Sequence, residues 1–279
     1  MKALKVIIPT LLVYLLLFAS GTQFSACKKT NTIRDTVTVK DTLTVADSLL
    51  GLKTGLVGWY TFTNGSLQDS SGNNNTIVFN NAVKTTDRDG RANNAYLFDG
   101  ASSYMRITNS ASLNPANLTL AATIKVNAFY RGTCADNEII GKGPTDGANG
   151  MYLMRFGSLS GCSSTVDTTK EYFQAGYGDN LIVGPGTTIN TDSIFIKAGQ
   201  WYNVVFTYDG YECRYYINGV LKKIWVQTAV FTANSNDVFI GKYENTTYPY
   251  YFNGVMDEIR VYNKALSEYD VKRLNTLNQ

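Results

Sequence analysis

Beyond residue 55 most of the chain breaks into short stretches in which apolar and polar positions tend to alternate, separated by turns rich in Gly, Asn, Asp and Ser. Successive side chains of a strand point to opposite faces, so this period of two predicts half-buried β-strands. The stretches fall at 56–62, 95–98, 104–107, 118–126, 151–156, 173–177, 193–196, 201–208, 214–217, 220–227, 237–240 and 252–261. Asp209-Gly210 closes one of them, and Asn218-Gly219 joins two others. Both dipeptides populate the positive φ that tight hairpin turns require. With no helical pattern interleaved, the reading is an all-β fold, an antiparallel two-sheet β-sandwich instead of a parallel α/β sheet. The C-terminus is the exception. Ser267 sits as an N-cap with Asp270 three residues on, Leu266 and Val271 can form a staple across the cap, and Val271, Leu274 and Leu277 share one helical stripe. This pattern predicts a short C-terminal helix laid on the sandwich.

The N-terminus has a different pattern. A basic start, MKALK, leads into an apolar run over 6–20 that contains Pro9. Such a run matches an export signal and is shorter than the roughly 20 residues of a spanning helix. It ends in Phe24-Ser25-Ala26-Cys27, which resembles the lipobox of bacterial lipoproteins, where the Cys is acylated and becomes the mature N-terminus. The resemblance implies a lipoprotein signal peptide over 1–26 and a lipid anchor at Cys27, hence an outer membrane lipoprotein facing the periplasm or the cell surface. Asp35-Thr-Val-Thr-Val and Asp41-Thr-Leu-Thr-Val repeat in the next segment, so 27–54 reads as an acylated start and Thr-rich tether, and 55–279 as one folded domain.

Composition narrows the chemistry. The 279 residues include no His, which excludes Ser-His-Asp and Cys-His catalysis and any imidazole-bound metal. The formal charge is +3, and the leader holds Lys2 and Lys5, so nothing suggests nucleic acid as a partner. Besides Cys27 the cysteines are Cys134, Cys162 and Cys213. Cys134 and Cys162 lie in Gly/Ser/Asp-rich loop sequence, where an oxidising compartment favours a disulfide between them. Cys213 lies in strand-like YECRYYING and reads as a buried free thiol.

Several stretches carry a further resemblance. Residues 55–62 (GLVGWYTF) with 67–75 (LQDSSGNNN), 86–100 (TDRDGRANNAYLFDG), the hairpins at 200–210 and 215–220, and 252–267 (FNGVMDEIRVYNKALS) resemble a laminin-G-like domain of the concanavalin A-like lectin/glucanase superfamily, in its bacterial lipoprotein form. That implies a concanavalin A-like jelly roll. The same sandwich serves lectins, adhesins and enzymes, so it does not fix the function.

Glycoside hydrolases on this fold carry Glu-x-Asp-x-x-Glu on one strand, and this chain has no such pattern. Asp257 and Glu258 are adjacent, which on a regular strand sends them to opposite faces. The expectation is therefore not an enzyme but a membrane-anchored carbohydrate-binding or adhesion domain. The alternative is a structural or protein-interaction domain of an envelope complex, with a glycoside hydrolase behind both. The partner is a glycan or a surface protein.

Two sets of residues are candidates for binding. The oxygen-rich loop 69–75 reads on its own as an Asx turn. The resemblance adds calcium (Ca2+), held by Asp69 and Asp257 with Gly72, Asn73 and Asn75. The second set is the segment 243–251, YENTTYPYY, where Tyr248 and Tyr250, held apart by Pro249, can stack on a sugar ring while Asn245 hydrogen-bonds a hydroxyl. Trp59, Trp201 and Trp225 read as strand residues packed inside the sandwich.

Overall fold

Alternating strands must bury one face each, and here they do so in two layers. The computed structural model describes residues 51–129, 136–143, 151–157, 170–178, 195–228 and 231–277. In chain order the strands are β1 (Leu56–Tyr60), β2 (Ile77–Asn80), β3 (Val83–Thr85), β4 (Ala95–Asp99), β5 (Met105–Ile107), β6 (Leu118–Val126), β7 (Asn137–Lys142) and β8 (Met151–Gly157). They continue as β9 (Lys170–Gly178), β10 (Phe195–Lys197), β11 (Trp201–Tyr208), β12 (Glu212–Ile217), β13 (Val220–Val226), β14 (Val238–Ile240) and β15 (Asn253–Tyr262), and the helix α1 (Glu268–Leu277) closes the chain order. An eight-stranded sheet runs β13-β12-β11-β6-β15-β4-β3, with β1 also paired to β15, and a seven-stranded sheet runs β10-β9-β8-β7-β14-β5-β2. Neighbouring strands pair antiparallel throughout, as in β11 with β6 and β8 with β9. This is the expected all-β two-sheet sandwich with a short C-terminal helix.

The core lies between the sheets. Val204, Phe206 and Tyr208 of β11 enter it with Leu118, Leu120, Ala122, Ile124 and Val126 of β6, opposite Tyr152, Met154 and Phe156 of β8. Cys213 is buried there as a free thiol, and burial pushes its pKa up to about 12, so it is inert as a nucleophile. Cys27, Cys134 and Cys162 lie outside the described residues, as does most of the expected leader and tether. Among the described residues no helix is long and apolar enough to cross a membrane.

The eight-stranded sheet also buries part of its outer face. Ala121 and Val205 point outward and meet Tyr216, Tyr262, Leu52, Leu56 and Leu266, and α1 covers them with Val271 and Leu274. Its N-cap forms as expected: the Asp270 N–H donates to Ser267 Oγ at 3.1 Å, and the Ser267 hydroxyl donates to Asp270 Oδ2 at 2.8 Å. Leu277, third in the predicted stripe, is 48% exposed.

A bulge in β15 decides where its two acidic side chains point. Pairing with β6 slips between Asp257 and Ile259, and Glu258 takes a φ of 40°. A bulge puts one extra residue into a strand and re-aims its side chains. Met256 and Ile259 both enter the core although they are three apart, which leaves Asp257 and Glu258 together on the outer side. The expectation of opposite faces fails here, because it assumes unbroken alternation.

Candidate functional site

Beside α1, where its apolar cover ends, the outer face of the eight-stranded sheet opens into a groove of about 360 Å³. Trp59 of β1, Asp257, Glu258 and Arg260 of β15, and Asp87, Arg88 and Arg91 of the loop before β4 line it, with Thr61, Thr63, Asn94 and Leu277 at its margins. Register explains the grouping, since Trp59 stands opposite Arg260 in the β1–β15 pair. The Arg260 guanidinium lies over the Trp59 ring at 4.6 Å and donates to Glu258 at 3.0 Å, while the Trp59 indole N–H donates to the same carboxylate at 2.9 Å. Arg88 Nη1 faces Asp257 Oδ2 at 3.6 Å and donates to Thr123 Oγ1 at 3.3 Å. Burial pushes the Asp257 carboxyl up to about 7, against the opposing pull of Arg88. Asp257 Oδ2, Arg88 Nε and Arg260 Nε are buried without a hydrogen bond. Arg88 also borders a second hollow of about 280 Å³ with Thr123, Trp201, Tyr202, Asn203 and Asn218.

The seven-stranded sheet presents a different surface. Val238 and Ile240 of β14 enter the core, so Phe239 points outward, beside Arg106 of β5 and near Phe79 of β2. Phe79 stacks on Tyr104 at 4.6 Å, and Tyr104 lies 5.9 Å from Phe239. The Lys242 ammonium sits over Tyr104 at 4.7 Å, Phe239 at 5.2 Å and Tyr251 at 6.0 Å, distances at which the ring quadrupoles attract it. Burial lowers the Lys242 pKa, and Glu244 partly opposes the shift.

The predicted tyrosines belong to the segment that carries Lys242. Two backbone bonds pin this segment closed, Tyr243 N–H to the Pro249 carbonyl at 2.8 Å and Phe252 N–H to the Gly241 carbonyl at 2.9 Å. Tyr250 is 7% exposed, with Tyr243 stacked at 5.7 Å, Tyr248 at 6.2 Å and the Arg155 guanidinium at 5.6 Å. It is the middle of a stack and not an open platform, whereas Tyr248 is 41% exposed and forms the outer end. Asn245 Oδ1 accepts the N–H groups of Thr247 and Tyr248 and so shapes the turn.

The expected calcium ligands have separate partners. Asp69 Oδ1 accepts the N–H groups of Trp59 and Ser71, and Oδ2 accepts the Ser71 hydroxyl and the Asn75 N–H, all at 2.8 to 2.9 Å. A carboxylate has about four acceptor positions, and all are engaged. Asn75 is buried and donates to the Val57 carbonyl and Ser112, Asn73 donates to the Leu56 carbonyl, and Gly72 takes a φ of 89° in the turn. These bonds close an Asx turn unaided, and Asp257 faces Arg88 instead. The donor set around Asp69 does not fit an ion shared with Asp257. Among the described residues, no three Asp, Glu, Cys or His side chains converge on a metal position.

Trp59, Arg88, Arg260 and Lys242 were not among the sequence candidates. A tryptophan in an apolar strand gives no local sign that its partner is a glutamate 199 positions away. Phe239 could have been found, since alternation in β14 turns it outward.

Comparison with known proteins agrees with the fold. Among curated proteins none matches the sequence. Domain 4 of AbnA, a GH43 extracellular arabinanase from Geobacillus stearothermophilus, solved in complex with arabinotriose, is similar in structure at 21% identity and a TM-score of 0.56, covering 79% of this chain and 98% of that one. The binding domain of Paraclostridial Mosquitocidal Protein 1 aligns at 16% identity and a TM-score of 0.59, over 81% of this chain and 53% of that one. The binding domain of Botulinum Neurotoxin DC, in complex with SialylT, aligns at 11% identity and 0.56, over 81% and 52%. The chain thus spans about half the length of these two toxin domains. Residues 98–272, more than half of the sequence, match the model of one family, and the chain belongs to it: the concanavalin A-like lectin/glucanases superfamily, in its laminin-G form.

Proposed function

We propose that this domain is a non-catalytic, lectin-like module that binds a glycan on the outer face of the seven-stranded sheet, carried to the cell envelope by an acylated Cys27. The observation that carries the reading is Lys242 seated on Tyr104, Phe239 and Tyr251. Rings of this kind offer an apolar, polarisable surface to the C–H face of a sugar, and the ammonium at their edge donates to hydroxyls or to an acidic substituent. Tyr248 adds a second exposed ring on the same pinned segment. Two of the similar structures were solved with arabinotriose and with SialylT, which supports a glycan as the ligand class. Against catalysis, no stretch of the sequence carries the Glu-x-Asp-x-x-Glu pattern of the glycoside hydrolases on this fold. A glycan array probed with the wild type, Lys242→Ala and Tyr104→Ala tests the reading. Hits that both variants lose support it; an array without hits, or hits that both variants retain, overturns it. The anchor has its own test, since Cys27→Ser should abolish fatty-acid labelling and membrane recovery.

A further inference from the structure

We propose that Lys142 and Asn234 become joined by an amide bond between their side chains, formed by the folded chain itself with release of ammonia. The two residues are 92 positions apart, and the fold brings them together. Lys142 ends β7 and stands opposite Val238 in the β7–β14 pair, while Asn234 lies in the segment leading into β14. The lysine is 1% exposed. Its Nζ donates to the Asn236 carbonyl at 2.5 Å, to Asn234 Oδ1 at 2.6 Å and to Asn109 Oδ1 at 2.9 Å. A carbonyl carbon lies about 1.2 Å from its oxygen, so the nitrogen stands beside the carbon of the Asn234 amide. Asn109 is the more distant of the two side-chain amides. Holding amine and amide together in this way turns a slow bimolecular reaction into an intramolecular one.

The surroundings supply what the bond needs. Attack requires an uncharged amine, and burial lowers the Lys142 pKa to about 8, against the pull of Glu244 and Asp237. Asn234 Oδ1 also accepts the Asn236 N–H at 3.0 Å, so two donors draw electrons from the carbon to be attacked. Glu244 is the proton acceptor. Its carboxylate takes the N–H of Gly143, the residue after Lys142, its Oε2 is buried without a hydrogen bond, and burial raises its pKa. Asp237 is already occupied by Arg106 and by the Asn109 N–H. In the reaction the Nζ–Cγ bond forms and the Cγ–Nδ2 bond breaks. Of the three ammonium protons, one stays on the new amide and two reach the departing NH2, the first of them through Glu244. The nitrogen of Asn234 leaves as ammonium with the charge that Lys142 brought, and no oxidant or cofactor is consumed. The product removes a buried charge and keeps one N–H for the Asn236 carbonyl.

The test is a mass measurement on the full chain. The purified protein is digested under denaturing conditions and its peptides are sequenced by tandem mass spectrometry. A branched peptide is expected, joining the stretch around Lys142 to the stretch around Asn234 and lighter than the two together by one ammonia. Asn234→Ala should lose it entirely. Glu244→Gln, at a half-buried position, should lower the linked fraction at least tenfold by removing the proton acceptor. Unbranched peptides alone in the wild type overturn the proposal, and so does a link from Lys142 to Asn109. A linked fraction in Glu244→Gln equal to that of the wild type overturns the part given to Glu244. No ligand enters the measurement, so its outcome is independent of the glycan array.

Discussion

On the outer face of the eight-stranded sheet, the charged side chains are tied to one another, Arg88 to Asp257 and Arg260 to Glu258. On that of the seven-stranded sheet, Lys242 rests on three aromatic rings, and Phe79 beside them is 37% exposed. The first surface takes charge out of water next to an apolar patch sealed by a helix. The second leaves apolar rings half in water. Burying paired charges carries a desolvation cost that only good geometry repays, so substitutions on the first surface should register in stability and in its pH dependence. Half-exposed rings contribute less to folding than buried ones, and substitutions on the second should register in binding more than in stability.

The sharpest way to break this contrast is to lift the cover. Leu274 is fully buried in the cluster under α1. Leu274→Ala should cost about 2–5 kcal/mol in urea unfolding through lost transfer energy and the cavity left behind. A variant as stable as the wild type would mean that the eight-stranded sheet does not need its helix, and the two faces would be alike in this respect.

A second test uses Asp257. Its folded pKa is raised to about 7 by burial, above an unfolded value near 3.9. Between those values the folded state binds more protons than the unfolded one, so stability falls as pH rises. The contribution is fully present below about pH 4, is lost through pH 7, and is flat beyond. Its size is a few kcal/mol at most, since one unit is about 1.4 kcal/mol. Melting temperature measured from pH 4 to 8 should show this slope in the wild type and a flatter curve in Asp257→Asn. Equal slopes would place the titration elsewhere.

A smaller effect belongs to the cap of α1. Ser267→Ala removes the acceptor for the Asp270 N–H and should cost about 1 kcal/mol. Ser267→Asp should restore most of it.

Those elements differ in how visible they are in the sequence. The hairpin at Asn218-Gly219 is local, and both residues take the positive φ expected, 53° and 72°. The helix cap is local too. By contrast β7 reads NEIIGK, and its polar residues hide a central strand from any search for alternation. They are buried because distant groups satisfy them: Asn137 donates to Glu171, and Lys142, its pKa lowered to about 8 by burial, donates to Asn109, Asn234 and the Asn236 carbonyl. The groove is hidden for a similar reason. Its parts come from 59–63, 87–94 and 257–260, and only the bulge at Glu258 brings the two β15 carboxylates to one side. Of the candidate residues, Asp257 was singled out only as a calcium ligand implied by the resemblance, and neither its burial nor its partner Arg88 was legible.

The smallest stability effect is expected at Tyr248, which tests the aromatic face most directly. It is the exposed end of the Tyr243–Tyr250–Tyr248 stack, and its ring meets Tyr250 at 6.2 Å with the planes 24° apart. Offset pairs of this kind add about 0.5–1.5 kcal/mol when buried, and this one is half in water. Its backbone N–H bond to Asn245 survives truncation of the side chain, so the turn keeps its shape. Tyr248→Ala should therefore cost less than about 1 kcal/mol in thermal unfolding, near the range of ordinary surface substitutions. Tyr250→Ala should cost several times more, because that ring is buried between two others and under Arg155. If the exposed end also carries ligand contact, Tyr248→Ala will lower glycan capture on the array while its melting curve stays almost unchanged. Loss of stability and capture together, in the proportion seen for Tyr250→Ala, would show instead that Tyr248 only braces the stack.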